Sequence, residues 1–142
     1  METRQLKILV IDDNRDNMIV LKALIRDNFP EASVVMADHG SAGLAMAVSE
    51  DPDIILLDII MPGMDGFEVC RKLKARSELA DIPVVFVTAS RGDREHRMLA
   101  LECGGEGFLA KPIDEQELIS QIRAMAKIRQ ANIQKRDEKK RL

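Results

Sequence analysis

The chain has 142 residues, 46% of them hydrophobic and 32% charged, with a net charge of −3. That length fits one domain with little to spare, and the composition supports a soluble core. No run of about 18 apolar residues exists to span a membrane, and the opening METRQLKILVIDD lacks the apolar stretch and small-residue cleavage site of a secretory signal.

Charge is unevenly spread. Residues 127–142 hold seven basic side chains against two acidic ones, a net +5, which leaves −8 on the rest. An acidic body argues against direct nucleic-acid binding by the globular part. Cys70 and Cys103 lie far apart with no CxxC spacing. They read as small, partly buried hydrophobes in a reducing, cytoplasmic setting.

Apolar runs alternate with helix-period segments along the chain. LKILVI (6–11) is an expected strand, ended by Asp12 and Asp13. RDNMIVLKALIRDN (15–28) predicts a helix with Ile19, Leu21, Leu24 and Ile25 near one face. ASVVMA (32–37) is a second strand, SAGLAMAVSE (41–50) an Ala-rich helix, and DIILL (53–57) a third strand. Asp65-x-x-Glu68 has the form of a capping box before the helix FEVCRKLKAR. Pro83 opens the strand VVFV (84–87), ended by Thr88. DREHRMLALEC (93–103) is a helix stopped by CGG, and GFLA (107–110) is a short fifth strand. Lys111-Pro112 follows, and a second capping box, Asp114-x-x-Glu117, starts a last helix with an apolar stripe of Leu118, Ile119, Ile122, Met125 and Ile128.

Five strands and five helices in strict alternation imply an α/β fold with a parallel sheet covered on both faces. In such sheets ligands gather at the carboxyl ends of the strands. Those ends carry Asp12 and Asp13, then Asp58, Thr88 and Lys111. A lone carboxylate such as Asp58, closing an otherwise apolar strand, costs several kcal/mol to bury unpaired. Three carboxylates on one edge repel each other unless a cation intervenes, and hard oxygen ligands in that number suit Mg²⁺. A carboxylate can act as a nucleophile toward phosphorus. The Lys111 ammonium and Thr88 hydroxyl can then meet phosphoryl oxygens, because such transfer is mostly positioning and charge neutralisation. Taken singly, Asp12 or Asp13 reads as a helix N-cap and Lys111 as a surface lysine; four of the five strand ends together make the combination specific.

ILVIDDN (8–14), DIILLDIIMPGMDGFE (53–68), PVVFVTAS (83–90) and FLAKP (108–112) together resemble the receiver domains of two-component response regulators. The resemblance covers residues 5–126. It implies a flavodoxin-like doubly wound sheet of strand order 2-1-3-4-5. It also implies a phosphorylation-controlled switch: Asp58 as phosphoacceptor, Mg²⁺ held by Asp13, Asp58 and the Ile60 backbone carbonyl, and Asp12 acting through metal-bound water. Thr88 and Lys111 are expected to contact the phosphoryl group, Thr88 and Phe108 to switch together, and the Lys111–Pro112 bond to be cis. CGGEG (103–107) stands where the family often has a Gly-Ala-Asp-like stretch, which predicts a looser approach to the fifth strand.

The implied donor is a histidine kinase or phosphotransfer protein. The implied output face is the fourth helix, fifth strand and fifth helix, through which a homodimer can form. The protein is expected to be a phosphoacceptor rather than an enzyme, promoting only its own phosphorylation and dephosphorylation. The alternatives are an unphosphorylated receiver-like interaction module and a metal-dependent phosphohydrolase. A phosphohydrolase resembling the haloacid dehalogenases wants an acid two residues after the nucleophile, where this chain has Ile60. A flavin carrier wants aromatics to stack the ring, and there is no Trp or Tyr. Residues 1–126 are the expected receiver domain. Residues 127–142 are an expected basic helical extension, the start of a linker to a further output or kinase domain, as in a hybrid kinase or a cyclic-dinucleotide enzyme.

Overall fold

The computed structural model describes residues 5–89 and 94–141. Ser90 of the third motif, Asp93 at the start of the expected fourth helix and Leu142 lie outside the described residues. Five strands, β1 (Lys7–Ile11), β2 (Ser33–Ala37), β3 (Ile54–Asp58), β4 (Val84–Thr88) and β5 (Gly107–Ala110), alternate with five helices. The helices are α1 (Arg15–Asn28), α2 (Gly40–Glu50), α3 (Gly66–Ala75), α4 (Arg94–Glu102) and α5 (Glu115–Arg141). The strands form one sheet of order β2-β1-β3-β4-β5, and every pairing is parallel. This is the expected fold and strand order. No helix among the described residues is long and apolar enough to cross a membrane.

Successive strand side chains face opposite ways, and the two resulting cores separate cleanly. Leu9, Ile11, Ile55, Leu57, Val84 and Phe86 pack with α2, α3 and Ala100 of α4. Ile8, Val10, Ile54, Leu56, Val85 and Val87 pack with α1 and α5. β3 and β4 are buried along their whole length, as central strands of a doubly covered sheet must be.

Helices α3 and α5 begin at their expected capping boxes, and α1 is capped by Asn14 rather than by Asp12 or Asp13. Asn14 accepts a hydrogen bond from Asn17 N, Asp65 from Glu68 N and Asp114 from Glu117 N. These satisfy amides that the first turn leaves unpaired. Helix α1 buries the expected face except at Ile19. Met18, Leu21 and Ile25 are its buried residues, whereas Ile19 is exposed. One residue along a helix is a 100° rotation, so Met18 takes the inner position and turns Ile19 outward.

The approach to β5 is tight rather than loose. A Cβ on Gly105 would stand 2.6 Å from the Phe86 ring and 3.0 Å from Ala100 O. Glu106 then ties the loop down: Oε1 accepts from Val84 N and Oε2 from Lys74 Nζ. Lys74 also donates to the carbonyls of Ala80 and Ile82. Small residues here permit close packing, and a glutamate supplies the anchor.

Helix α5 runs unbroken for 27 residues, about 40 Å at 1.5 Å per residue. Its inward seam passes from Leu118, Ile122 and Met125 to Arg129, all buried. The basic segment therefore joins the packed body at least as far as Arg129.

Candidate functional site

The sheet brings Asp12, Asp58, Thr88 and Lys111 to one edge because each closes or follows a neighbouring strand. Asp12 follows β1 and Asp58 ends β3. Thr88 ends β4 and pairs in register with Ala110, the residue before Lys111. Lys111 N donates to Thr88 O at 2.7 Å, extending the ladder by one bond. The Lys111–Pro112 bond is cis, as expected.

Asp12 is almost fully buried. Its Oδ1 accepts from Asn14 N at 2.9 Å, and its Oδ2 from Lys111 Nζ at 3.2 Å. Asp58 is buried, with Lys111 Nζ 3.6 Å from its Oδ1. Asp13 is exposed at the rim. One carboxylate oxygen from each of Asp12, Asp13 and Asp58 lies within 4.8 Å of the others. Burial, and then repulsion from Asp12, push the Asp58 carboxyl up to about 6, partly offset by Lys111. Three hard oxygen donors, crowded around an under-neutralised carboxylate, form a set that fits a small divalent cation.

Asp58 is held from beneath by backbone. A Cβ on Gly66 would collide with the Asp58 carbonyl oxygen and stand 2.9 Å from Ile59 Cα. Gly66 N donates to Ile59 O at 2.8 Å, closing the loop over the strand end. Gly63 has φ +76°, the left-handed conformation that favours glycine. The Ile60 side chain points into solvent, 62% exposed.

A family model for the response regulator receiver domain matches residues 8–123. The chain belongs to this family. The response regulator PleD of Caulobacter vibrioides is 46% identical over 123 residues, 87% of this chain and 26% of that protein. The receiver thus spans about a quarter of that relative's length. Protein PilH of Pseudomonas aeruginosa is 34% identical over 119 residues, covering 84% of this chain and 96% of PilH. Among solved structures, the signal receiver domain of a DNA-binding response regulator from Colwellia psychrerythraea superposes with a TM-score of 0.80. It is 26% identical and covers 87% of this chain and 99% of that one. The chemotaxis protein CheY4 of Vibrio cholerae, at 24% identity and TM-score 0.79, shares the fold.

Phe108 lies on β5 opposite Phe86, with the Arg97 guanidinium 5.6 Å above its ring. It is half-buried, and two strand positions from the Thr88–Ala110 pair. Sequence reasoning missed Arg97, because helix α4 shows its partner only once the helix is docked. It also missed Gly66 as the support under Asp58, although a glycine directly after the Asp65 cap was a signal that backbone approaches closely there.

Proposed function

We propose that this receiver accepts a phosphoryl group on Asp58 from a histidine kinase or phosphotransfer protein in a Mg²⁺-dependent reaction, and changes its partner surface as a result. The observation that carries the reading is the Asp58 carboxylate itself: buried, crowded by Asp12 and Asp13, and faced by Lys111. Family membership supports the partner class, and a cytoplasmic setting is part of the same proposal.

Asp13, Asp58 and the Ile60 carbonyl would hold Mg²⁺ directly, and Asp12 through water. When bound, the ion supplies Lewis-acid charge neutralisation and a template for the phosphoryl oxygens. An Asp58 carboxylate oxygen forms the new bond to phosphorus. The bond from phosphorus to the donor's imidazole nitrogen breaks, and that nitrogen keeps the electron pair and takes a proton. Lys111 pairs with one phosphoryl oxygen and Thr88 donates to another, so three oxygens meet three positive or donor groups. The product is an acyl phosphate, two negative charges where one stood.

Thr88 and Phe108 then respond together, and the change reaches the face formed by α4, β5 and α5. Leu101 stands exposed beside Phe108 and Gln121 on that face, and pairing of two copies through it is one form the output takes. Residues 127–142 serve as a linker to a further domain. The protein catalyses only its own phosphorylation and dephosphorylation.

Incubation with Mg²⁺ and acetyl phosphate should add one phosphoryl group, seen as a single mass increment. Asp58→Asn should abolish it. Normal labelling of Asp58→Asn, with the phosphate mapped elsewhere, overturns the reading.

A further inference from the structure

The strongest unexplained feature lies at the opposite end of the sheet from Asp58. Arg129 is 1% exposed, whereas Lys127, Lys135, Lys139 and Lys140 on the same helix are exposed and Arg136 is half-buried. Its guanidinium meets three carboxylates from two separate entries into the sheet, Asp51 and Asp53 before β3 and Asp81 before β4. Nη1 donates to Asp81 Oδ1 at 2.8 Å and Nη2 to Asp51 Oδ1 at 3.1 Å. Nε stands 3.6 Å from Asp53 Oδ1. Asp51 caps α2 with φ 47°. Asp53 immediately precedes β3 and accepts Lys7 N of β1 on its other oxygen at 2.9 Å. Asp81 lies two residues before Pro83, at the entry to β4.

The next turns of α5 continue the grip. Asn132 Nδ2 donates to Asp81 O at 2.9 Å, and Arg136 Nη1 lies 3.5 Å from Asp81 Oδ2. Leu118, Ile122, Met125, Arg129, Asn132 and Arg136 are spaced 4, 3, 4, 3 and 4 apart. One helical seam thus changes from apolar to polar without leaving the body.

A buried arginine among carboxylates is a poor way to gain stability, because desolvation consumes most of the attraction. Its planar fork of donors does fix geometry, since each carboxylate must lie in a set direction. We infer that Arg129 and the carboxylates of Asp51, Asp53 and Asp81 form a clamp that locks the helix beyond the family-matched region at one angle to the receiver body, making residues 129–141 a rigid arm rather than a tether. The use of the arm as an output element rests on the receiver reading; the clamp itself does not.

The unmodified full chain tests this by solution NMR. Residual dipolar couplings of amides 130–138 should fit one alignment tensor together with those of β1, β3 and β4. In Arg129→Gln these couplings should shrink by half or more, and amide exchange in 130–138 should speed up at least tenfold, with the strands unchanged. Arg129→Lys should fall between, since one ammonium cannot satisfy three carboxylates. If Arg129→Gln does not fold, Asp51→Asn, altered on a largely exposed side chain, and Arg136→Gln should each loosen the arm in a folded body. Couplings in the native chain that need a second tensor overturn the clamp. So do couplings and exchange that no variant alters. Failure of Asp58 to accept a phosphoryl group would sink the receiver chemistry and leave this result as it stands.

Discussion

Lys111 donates from Nζ to Oδ2 of Asp12 at 3.2 Å, across 99 residues of chain. The same ammonium is 3.6 Å from Asp58, so one cation is shared by two buried acids and is nearer to the one that does not carry the proposed chemistry. Lys111→Ala strips that shared charge. We expect apo stability near pH 7.5 to fall by about 1–3 kcal/mol, as for breaking a buried ion pair with partial solvent access. Saturating Mg²⁺ should recover most of it by replacing the lost charge. Urea unfolding with and without Mg²⁺ measures both; an equal loss in the two conditions means Lys111 is not acting as counter-charge.

Asp13 is the exposed member of the acidic cluster. Asp13→Ala should weaken Mg²⁺ binding by about tenfold or more, roughly 1.4 kcal/mol, and slow phosphorylation. Apo stability should hold or rise, because one of three crowded charges is gone. Calorimetric titration with Mg²⁺ and thermal unfolding of the apo protein provide the check. A large stability loss with Mg²⁺ affinity intact would instead make Asp13 a structural cap.

Burial and the neighbouring Asp12 raise Asp58 from 3.8 to about 6. Between those values the folded state holds a proton that the unfolded state has released. Apo stability should therefore fall as pH rises from about 4 to about 6, by an amount on the order of 2–3 kcal/mol, and then level off. Asp58→Asn should remove this slope. Mg²⁺ should flatten it and should bind more weakly below pH 6, where Asp58 is protonated. Denaturation midpoints across pH 4–8 test the sign: a contribution that rises with pH and depends on Asp58 contradicts the geometry.

Gly66→Ala places a methyl against the Asp58 carbonyl and Ile59 Cα, which are backbone and cannot swing aside. We expect a loss of about 2 kcal/mol or more, together with slower labelling of Asp58. An alanine variant with native stability and native labelling would mean that the loop shifts freely.

The alternation of strands and helices was legible because each apolar run has the length of a strand and each is closed by a polar residue. The same closures exposed the site: Asp12, Asp13, Asp58, Thr88 and Lys111 all mark strand ends. What escaped the sequence was packing that apolar periodicity does not encode. Met18 replaced Ile19 because both are apolar and only docking sets the helix phase. In sequence Arg129 is one more tail charge, since the hydrophobic stripe ends where the polar seam begins; its partners are 48 to 78 residues away. Gly105 and Glu106 seemed a departure toward looseness, yet close approach needs the missing side chain and the glutamate supplies the tie.

Helix α4 has a single buried residue, Ala100, whereas α1 buries Met18, Leu21 and Ile25. One methyl group taken from water contributes on the order of 0.8 kcal/mol, so α4 is moored in a shallow energy well. The Arg97–Phe108 contact adds about 0.5–1 kcal/mol at such an exposed site. One charge-assisted hydrogen bond, about 1.5–3 kcal/mol, is enough to outweigh either. Two placements of α4 separated by 1.4 kcal/mol would stand in a ratio of about ten to one. With one buried residue, α4 is thus a helix whose outer face costs little to redraw.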